Sequence, residues 1–235
     1  MATPIEITYC FHYQTDDEIR FNMRFDSHSM LLLDEENPIP PDWAKLEYCQ
    51  CSHCPLSPED HEYCPIAKNI AQVVEVFSAN RSIQNTTIAV LSEERNYWKE
   101  TTMQQGLHGI FGLVMATGGC PHMDFLKSMA RFHLPFSTYR ETIVRSLSMH
   151  LLNQLIKSKD HNTVAIDFTE LEESYRKVNQ LNQEFIERIR SAKTGGDAGE
   201  NALIILDSFV QLIDMEFSSD FRMLKEILEP QEENL

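Results

Sequence analysis

The spacing of apolar residues changes along this chain, and that change limits the folds open to it. Apolar and polar side chains alternate from Ile5 to Tyr13 and again from Ile19 to Phe25, which is the period of a β-strand with one buried face. After about Asn96, apolar residues recur every three or four positions, as in amphipathic helices. We therefore predict an α+β protein with an amino-terminal β-hairpin followed by an all-helical bundle.

The predicted boundary between these two regions lies near residue 95. Residues 1–95 are expected to form a small α+β unit, with a hairpin turn at 14–17, a third strand at 29–33 and a short helix that begins at Pro65. Residues 96–228 are expected to form a bundle of about five helices with no further strand. Residues 229–235 are expected to form a polar tail.

Candidate helix starts divide the bundle region. A short helix is expected from Pro121 to about Phe132, since proline is favoured at the first helical position. Two long apolar runs flank a glycine-containing segment at 194–197, which predicts an antiparallel helical hairpin. Three capping boxes are predicted at Thr101 with Gln104, Thr138 with Glu141, and Thr169 with Glu172.

The charge balance argues against several classes of partner. The chain carries 20 basic and 36 acidic side chains, a formal net charge of −16, which is unsuited to binding nucleic acid or an anionic membrane. The amino-terminal residues contain no basic leader, and no apolar stretch approaches the roughly 20 residues of a membrane span. We expect a cytoplasmic protein, in which clustered cysteines bind metal more often than they form disulfides.

Four of the six cysteines lie in or at the edge of one short segment, residues 49–65, which we call the cysteine loop. Cys51 and Cys54 have the spacing that lets two thiolates bind one ion from a tight turn, and Cys64 lies where a helix is expected to begin. The fourth ligand is either Cys49, which would make a local clip, or Cys120, which would tie the α+β unit to the bundle.

A site of four thiolates suits structural zinc or an iron–sulfur cluster. Zinc is favoured because the spacing is not that of a ferredoxin. Cys10, on a predicted strand, is expected to be a buried core residue.

Histidines provide weaker candidate ligands. His53 and His61 lie in the cysteine loop, and His108, His122 and His133 lie on or beside the first bundle helices. Imidazoles near Cys120 could form a catalytic metal site. The sequence has no His-Glu-x-x-His pattern, no nucleophile elbow and no glycine-rich phosphate loop, so core or surface roles fit these histidines better.

Several short motifs together resemble those of an uncharacterised bacterial family of soluble proteins. The likeness extends from the hairpin to about residue 160. The family pattern matches Cys51, Cys54, Cys64 and Cys120 but not Cys49, which implies the site between the two regions, and it implies no activity. The residues that carry it are Trp43, the segments CSHCPL at 51–56 and CPIA at 64–67, GGCP at 118–121 and RFHLPF at 131–136.

These observations favour a non-enzymatic metal-binding protein with a four-cysteine zinc site. It would act as an interaction or regulatory module, with the acidic helical bundle contacting a protein partner or forming a homodimer. Two alternatives are an iron or redox sensor with an iron–sulfur cluster and a metalloenzyme with a histidine-containing site in the bundle.

Overall fold

The computed structural model describes residues 3–13, 18–33, 39–78, 81–158, 166–193, 197–219 and 221–229. Within these ranges the chain forms a four-stranded antiparallel sheet and seven α-helices, which confirms a mixed α+β fold. The strands are β1 (Ile5–His12), β2 (Glu18–Phe25), β3 (Asn85–Ser92) and β4 (Asn96–Thr102). The helices are α1 (Pro65–Phe77), α2 (Met103–Thr117), α3 (Lys127–Arg131), α4 (Tyr139–Lys157), α5 (Thr169–Ala192), α6 (Ala198–Ser218) and α7 (Arg222–Leu228).

The sheet has the strand order β2-β1-β3-β4. Strands β1 and β2 pair antiparallel as predicted for the hairpin, although its turn at 14–17 lies outside the described residues. Ile7, Tyr9 and Phe11, at every second position of β1, are buried in the core. The expected third strand at 29–33 is wrong, because only Leu32 forms a β-bridge, and its N–H donates to the Thr117 carbonyl at the end of α2.

Strand β4 corrects the prediction that no strand follows Asn96. It pairs antiparallel with β3, with Tyr97 opposite Val90. Because β4 is an edge strand and most of its side chains are exposed or half-buried, it needs no strict alternation of apolar residues. The sheet therefore continues past the predicted boundary at residue 95.

The helix starts follow the predictions only in part. Pro65 begins α1, and the Thr138–Glu141 capping box at α4 is confirmed, with the Glu141 N–H donating to Thr138 Oγ1 over 3.2 Å. The other two boxes are wrong. Helix α2 begins at Met103 after Thr102, and Thr169 is the first residue of α5, where its N–H donates to Asp167 Oδ1.

The bundle region also differs from the expected five helices. Within the described residues, six α-helices follow β4, together with a 3-10 helix over Pro121–Leu126. Helices α5 and α6 pack against each other as predicted, but residues 194–196 between them are not described. The second long apolar run does not form a single helix, because Phe221, after the end of α6, has a left-handed backbone (φ 56°) at the start of α7. Of the tail, only Glu229 is described.

Helix α2 lies between the sheet and α6, and one apolar core is continuous across the described residues. Its glycines permit the close approach to the sheet. A Cβ at Gly106 would lie 2.6 Å from Phe11 Cε1, and one at Gly109 would lie 2.6 Å from Tyr9 Oη. The two predicted regions, the α+β unit and the bundle, therefore contribute residues to the same core.

Candidate metal centre

The cysteine loop is closed at its base by backbone hydrogen bonds. The Leu46 N–H donates to the Glu62 carbonyl over 2.9 Å, and the Cys64 N–H donates to the Ala44 carbonyl over 2.9 Å. These bonds hold the two ends of the loop side by side, so Cys64 lies at the base of the segment that carries Cys51.

Cys51 and Cys54 lie in a tight turn. The Cys54 N–H donates to the Cys51 carbonyl over 3.0 Å, and both side chains are half-buried. This reversal of the chain is the local structure that the Cys-x-x-Cys spacing predicts.

Cys64 and Cys120 occupy equivalent positions in two separate segments. Each immediately precedes a proline that begins a helix, and each is 8% exposed. Asn69 connects the segments, because its side-chain amide donates to the carbonyls of Pro65 (2.9 Å) and Gly118 (3.3 Å). Gly119 has a φ of +94°, which favours glycine and allows the chain to turn towards Cys120.

Cys64 and Cys54 each act electrostatically on Cys51 and on Cys120, and all four thiols are free. Burial raises the pKa of Cys51 to about 12, and negative charge on Cys64 and Cys54 adds to this effect. Burial also raises the pKa of Cys120 to about 12; a hydrogen bond from the His122 N–H opposes the rise, and Cys64 and Cys54 reinforce it. A cluster of this kind favours thiolates only when a cation is present.

The thiols are not gathered around one point. Within the described ranges, no three or more histidine, cysteine, aspartate or glutamate side chains come together closely enough to hold a metal ion. Cys49 differs from Cys120, since its side chain is exposed and its backbone is left-handed with a φ of 45°. Cys10 is buried in β1.

Helix α5 holds the chain that leads into the cysteine loop through one buried arginine. Arg188 is 1% exposed and has no ion pair with any carboxylate in the described part of the chain. Its guanidinium donates to four backbone carbonyls, those of Trp43 (3.0 Å), Lys45 (2.8 Å), Leu46 (3.3 Å) and Cys49 (3.1 Å). The positive charge also lowers the pKa of Cys51, against the larger effect of burial.

The same face of α5 holds the turn between Cys51 and Cys54. Glu184 accepts hydrogen bonds from the Ser52 N–H (2.7 Å) and hydroxyl (2.6 Å), and the Gln180 amide donates to the Ser52 hydroxyl over 2.7 Å. Burial of Glu184 opposes ionisation, but the hydrogen bonds from Ser52 and Gln180 outweigh it and lower the pKa of the carboxyl. The carboxylate is therefore kept ionised beside the loop.

The sequence interpretation missed Gln180, Glu184 and Arg188. Their spacing of four residues places them on one helix face, and this polar stripe is visible in the sequence beside the apolar seam. Its partners lie more than 120 residues earlier, and no local pattern connects the two.

The candidate histidines lie in different places. The rings of His53 and His122 stack with centroids 4.5 Å apart beside the loop, and His122 Nε2 lies 2.9 Å from the His53 carbonyl. His61 is exposed on the loop. His108 and His133 instead line a cavity between helices, so the structure separates them from His122.

The fold and the site define an α+β protein in which a cysteine-containing loop is bound against a long helix. The sequence matches the family described as domain of unknown function DUF6901 over residues 7–229. The chain belongs to that family, in agreement with the predicted membership of an uncharacterised family. No curated protein and no solved structure matches the chain.

Among the described residues, no helix combines the length and the apolar character needed to cross a membrane.

Proposed function

We propose that this protein binds one structural zinc ion through Cys51, Cys54, Cys64 and Cys120. The observation that carries the proposal is the placement of four free thiols from three separate segments, with Cys54 and Cys64 within electrostatic range of both Cys51 and Cys120. Binding requires these side chains to draw together from the arrangement described above. The Cys-x-x-Cys turn and the two Cys-Pro helix starts are the local structures that zinc-binding cysteines commonly occupy.

The electrostatic environment of the four thiols favours a bound cation. Without one, burial and mutual repulsion keep Cys51 and Cys120 protonated at neutral pH. A divalent ion stabilises the thiolates and displaces their protons. Four thiolates around zinc carry a net charge of about −2, and the buried guanidinium of Arg188 offsets part of that charge.

The proposed role of the ion is to fix the cysteine loop to the segment after α2. Cys120 lies outside the loop, so an ion bound by all four thiolates would add a direct link between the loop and a segment that already contact each other through His53 and His122. The protein would act without catalysis, as an interaction or regulatory module. Its acidic helical surface would contact a protein partner or a second copy of the chain. Of these two, the net charge of −16 favours a different protein with complementary basic groups.

The test is elemental analysis and absorption spectroscopy on protein purified without oxygen and without a metal-affinity tag. We expect about one zinc per chain and no absorbance near about 400 nm, where iron–sulfur clusters absorb. Iron with sulfide would replace the zinc proposal with the iron–sulfur alternative. Protein that contains no metal and takes up no zinc would contradict both.

Matched cysteine variants locate the ion. Cys120→Ser is expected to lose the zinc, and Cys49→Ser is expected to retain it. Full zinc content in Cys120→Ser would contradict the proposed ligand set. Zinc removal by a chelator that leaves the melting temperature unchanged would contradict a structural role, because an ion that binds only the folded state must stabilise it.

A further inference from the structure

A cavity of about 150 Å³ lies among α2, α3, α4, α5 and α6, away from the cysteine loop. We call it the histidine cavity, because His108 and His133 both line it. A cavity of about this size is large enough for a benzene ring. Most of its wall is apolar, including Leu113, Ala116, Met129, Leu206, Val210 and Ile213.

His108 places an unsatisfied nitrogen in this wall. Its ring packs against Phe209 with centroids 4.9 Å apart, and its buried Nε2 has no hydrogen-bond partner among the described residues. Burial lowers the pKa of His108 to about 4, so the ring is neutral at neutral pH and Nε2 is able to donate or accept. A buried polar atom without a partner is costly, and a ligand in the cavity would supply one.

His133 is already paired. Its Nε2 lies 2.6 Å from Tyr9 Oη, in the contact that Gly109 makes possible. Burial lowers the pKa of His133 to about 3, and the nearby charges of Arg145 and His108 add to this effect. Arg145 and His108 therefore both lie within electrostatic range of His133.

Arg145 supplies a positive charge that forms no ion pair among the described residues, with the Glu141 carboxylate within electrostatic range of it. Its Nη2 donates to the carbonyls of Met129 (3.0 Å) and Phe132 (2.6 Å), and within the described residues it forms no ion pair. Glu141, one turn earlier on α4, is engaged by the Thr138 N–H and hydroxyl at 2.7 and 2.9 Å. The guanidinium thus keeps Nε and Nη1 without a partner in the described ranges.

We propose that the histidine cavity binds a small monocarboxylate with an apolar, ring-sized body. The body fills the apolar space, the carboxylate pairs with the Arg145 guanidinium, and His108 Nε2 makes the second polar contact. The combination of an apolar cavity with a few polar groups is typical of small-molecule sites. An uncharged apolar ligand would offer no acceptor to Nε and Nη1 of Arg145 and no partner to His108 Nε2.

The test uses para-fluorobenzoate as the probe and fluorobenzene as its uncharged counterpart, each titrated into the full chain and followed by fluorine NMR. We expect saturable binding of para-fluorobenzoate with a Kd of about 1 mM or below, at least about tenfold tighter than fluorobenzene. Equal affinities would overturn the proposal, as would no binding of para-fluorobenzoate. This comparison requires no variant.

Substitutions assign the contacts. Arg145→Met is expected to weaken para-fluorobenzoate at least about tenfold and to leave fluorobenzene nearly unchanged. The matched control is Arg140→Met, an exposed arginine on the same helix, which should change neither affinity. Unchanged binding of para-fluorobenzoate by folded Arg145→Met would overturn the proposal.

His108→Phe provides a second variant that keeps the packing against Phe209. Because it removes a buried nitrogen without a partner, it is expected to fold at least as well as the wild type. It should weaken para-fluorobenzoate several-fold and should not weaken fluorobenzene. If Arg145→Met fails to fold, this variant decides the outcome, and unchanged binding of para-fluorobenzoate would then overturn the proposal.

Discussion

The cysteine loop and the histidine cavity differ in whether their polar groups have hydrogen-bond partners within the protein. In the loop, Gln180, Glu184 and Arg188 extend from one helix face and hold a segment that has little apolar surface of its own. In the cavity, His108 and Arg145 lie among apolar side chains and keep donor groups without partners in the described residues. A polar loop needs a second element to define its shape, whereas an apolar cavity can hold unpaired groups ready for a ligand.

Replacing Arg188 by Met tests the cysteine-loop side of this comparison and should cause the largest loss of stability. The carbonyls of Trp43, Leu46 and Cys49 would lose the guanidinium donor, whereas the Lys45 carbonyl would keep the Tyr48 N–H. Unsatisfied buried groups cost about 1–3 kcal/mol each. We expect the free energy of unfolding to fall by about 3 kcal/mol or more in urea denaturation.

Arg176→Met is the matched control for that experiment. Arg176 lies on the same helix, and its exposed side chain pairs with Glu172. Such surface pairs contribute about 0.5 kcal/mol or less. A loss below about 1 kcal/mol in Arg188→Met would show that segment 43–49 keeps its shape without the guanidinium.

Acidification should affect the cavity next most strongly. An unfolded histidine has a pKa near about 6.5, whereas burial lowers the pKa of His108 to about 4 and that of His133 to about 3. Below pH of about 6.5 the unfolded chain therefore takes up protons that the folded chain does not, and stability is lost as pH falls. Between pH of about 7.5 and about 5.5, each imidazole should cost about 1.4 kcal/mol.

Urea denaturation at the two pH values checks this prediction. His108→Phe should reduce the pH-dependent loss by about 1.4 kcal/mol. Identical pH dependence in wild type and His108→Phe would indicate that His108 is protonated equally easily in the folded and unfolded states.

Gly109→Ala tests the wall of the cavity. The new Cβ would lie 2.6 Å from Tyr9 Oη, so the Tyr9 ring must move and its hydrogen bond to His133 would be lost. After the helix-propensity gain of Ala is subtracted, we expect a net loss of about 1–2 kcal/mol in stability.

Gly199→Ala is the control for this substitution. Its Cβ would lie 3.6 Å from Phe111 Cζ, an ordinary contact on α6. That variant should gain up to about 1 kcal/mol from helix propensity. If both variants gained stability, Tyr9 would have room that the structure does not show.

Glu184→Gln should have the smallest effect, on the loop alone. Gln still accepts one hydrogen bond from Ser52 but loses the ionised acceptor, so we expect a loss of about 1 kcal/mol. Hydrogen exchange of the Ser52 N–H should accelerate. Glu187→Gln, which alters an exposed pair with Arg190, should leave that exchange rate unchanged. Equal rates in all three proteins would contradict the role of Glu184 in holding the loop against α5.

The sequence predicted those parts of the fold whose signals are local. The β1–β2 hairpin alternates strictly, Pro65 marks the start of α1, and Thr138 with Glu141 forms the predicted box. Strand β4 was missed because an edge strand with exposed side chains carries no apolar alternation. Thr101 was assigned to a helix start, but it pairs with Thr86 in the sheet.

The same distinction between local signals and distant contacts applies to the two candidate sites. The cysteine cluster is visible because three of its residues are close in sequence. The histidine cavity combines side chains from five helices and their connections, so no short pattern contains it. Arg188 lies beside the apolar seam of α5, and in the sequence it resembles an ordinary charged surface residue. Only its backbone partners reveal its role.

The contacts between α5 and the cysteine loop also have a consequence for the order in which the protein folds. Arg188 bonds to carbonyls 139 to 145 residues earlier in the chain. During synthesis, segment 43–49 leaves the ribosome long before α5 exists, and its carbonyls are hydrated until that helix arrives. Because such distant contacts form slowly, the loop reaches its final shape only after α5 has been made.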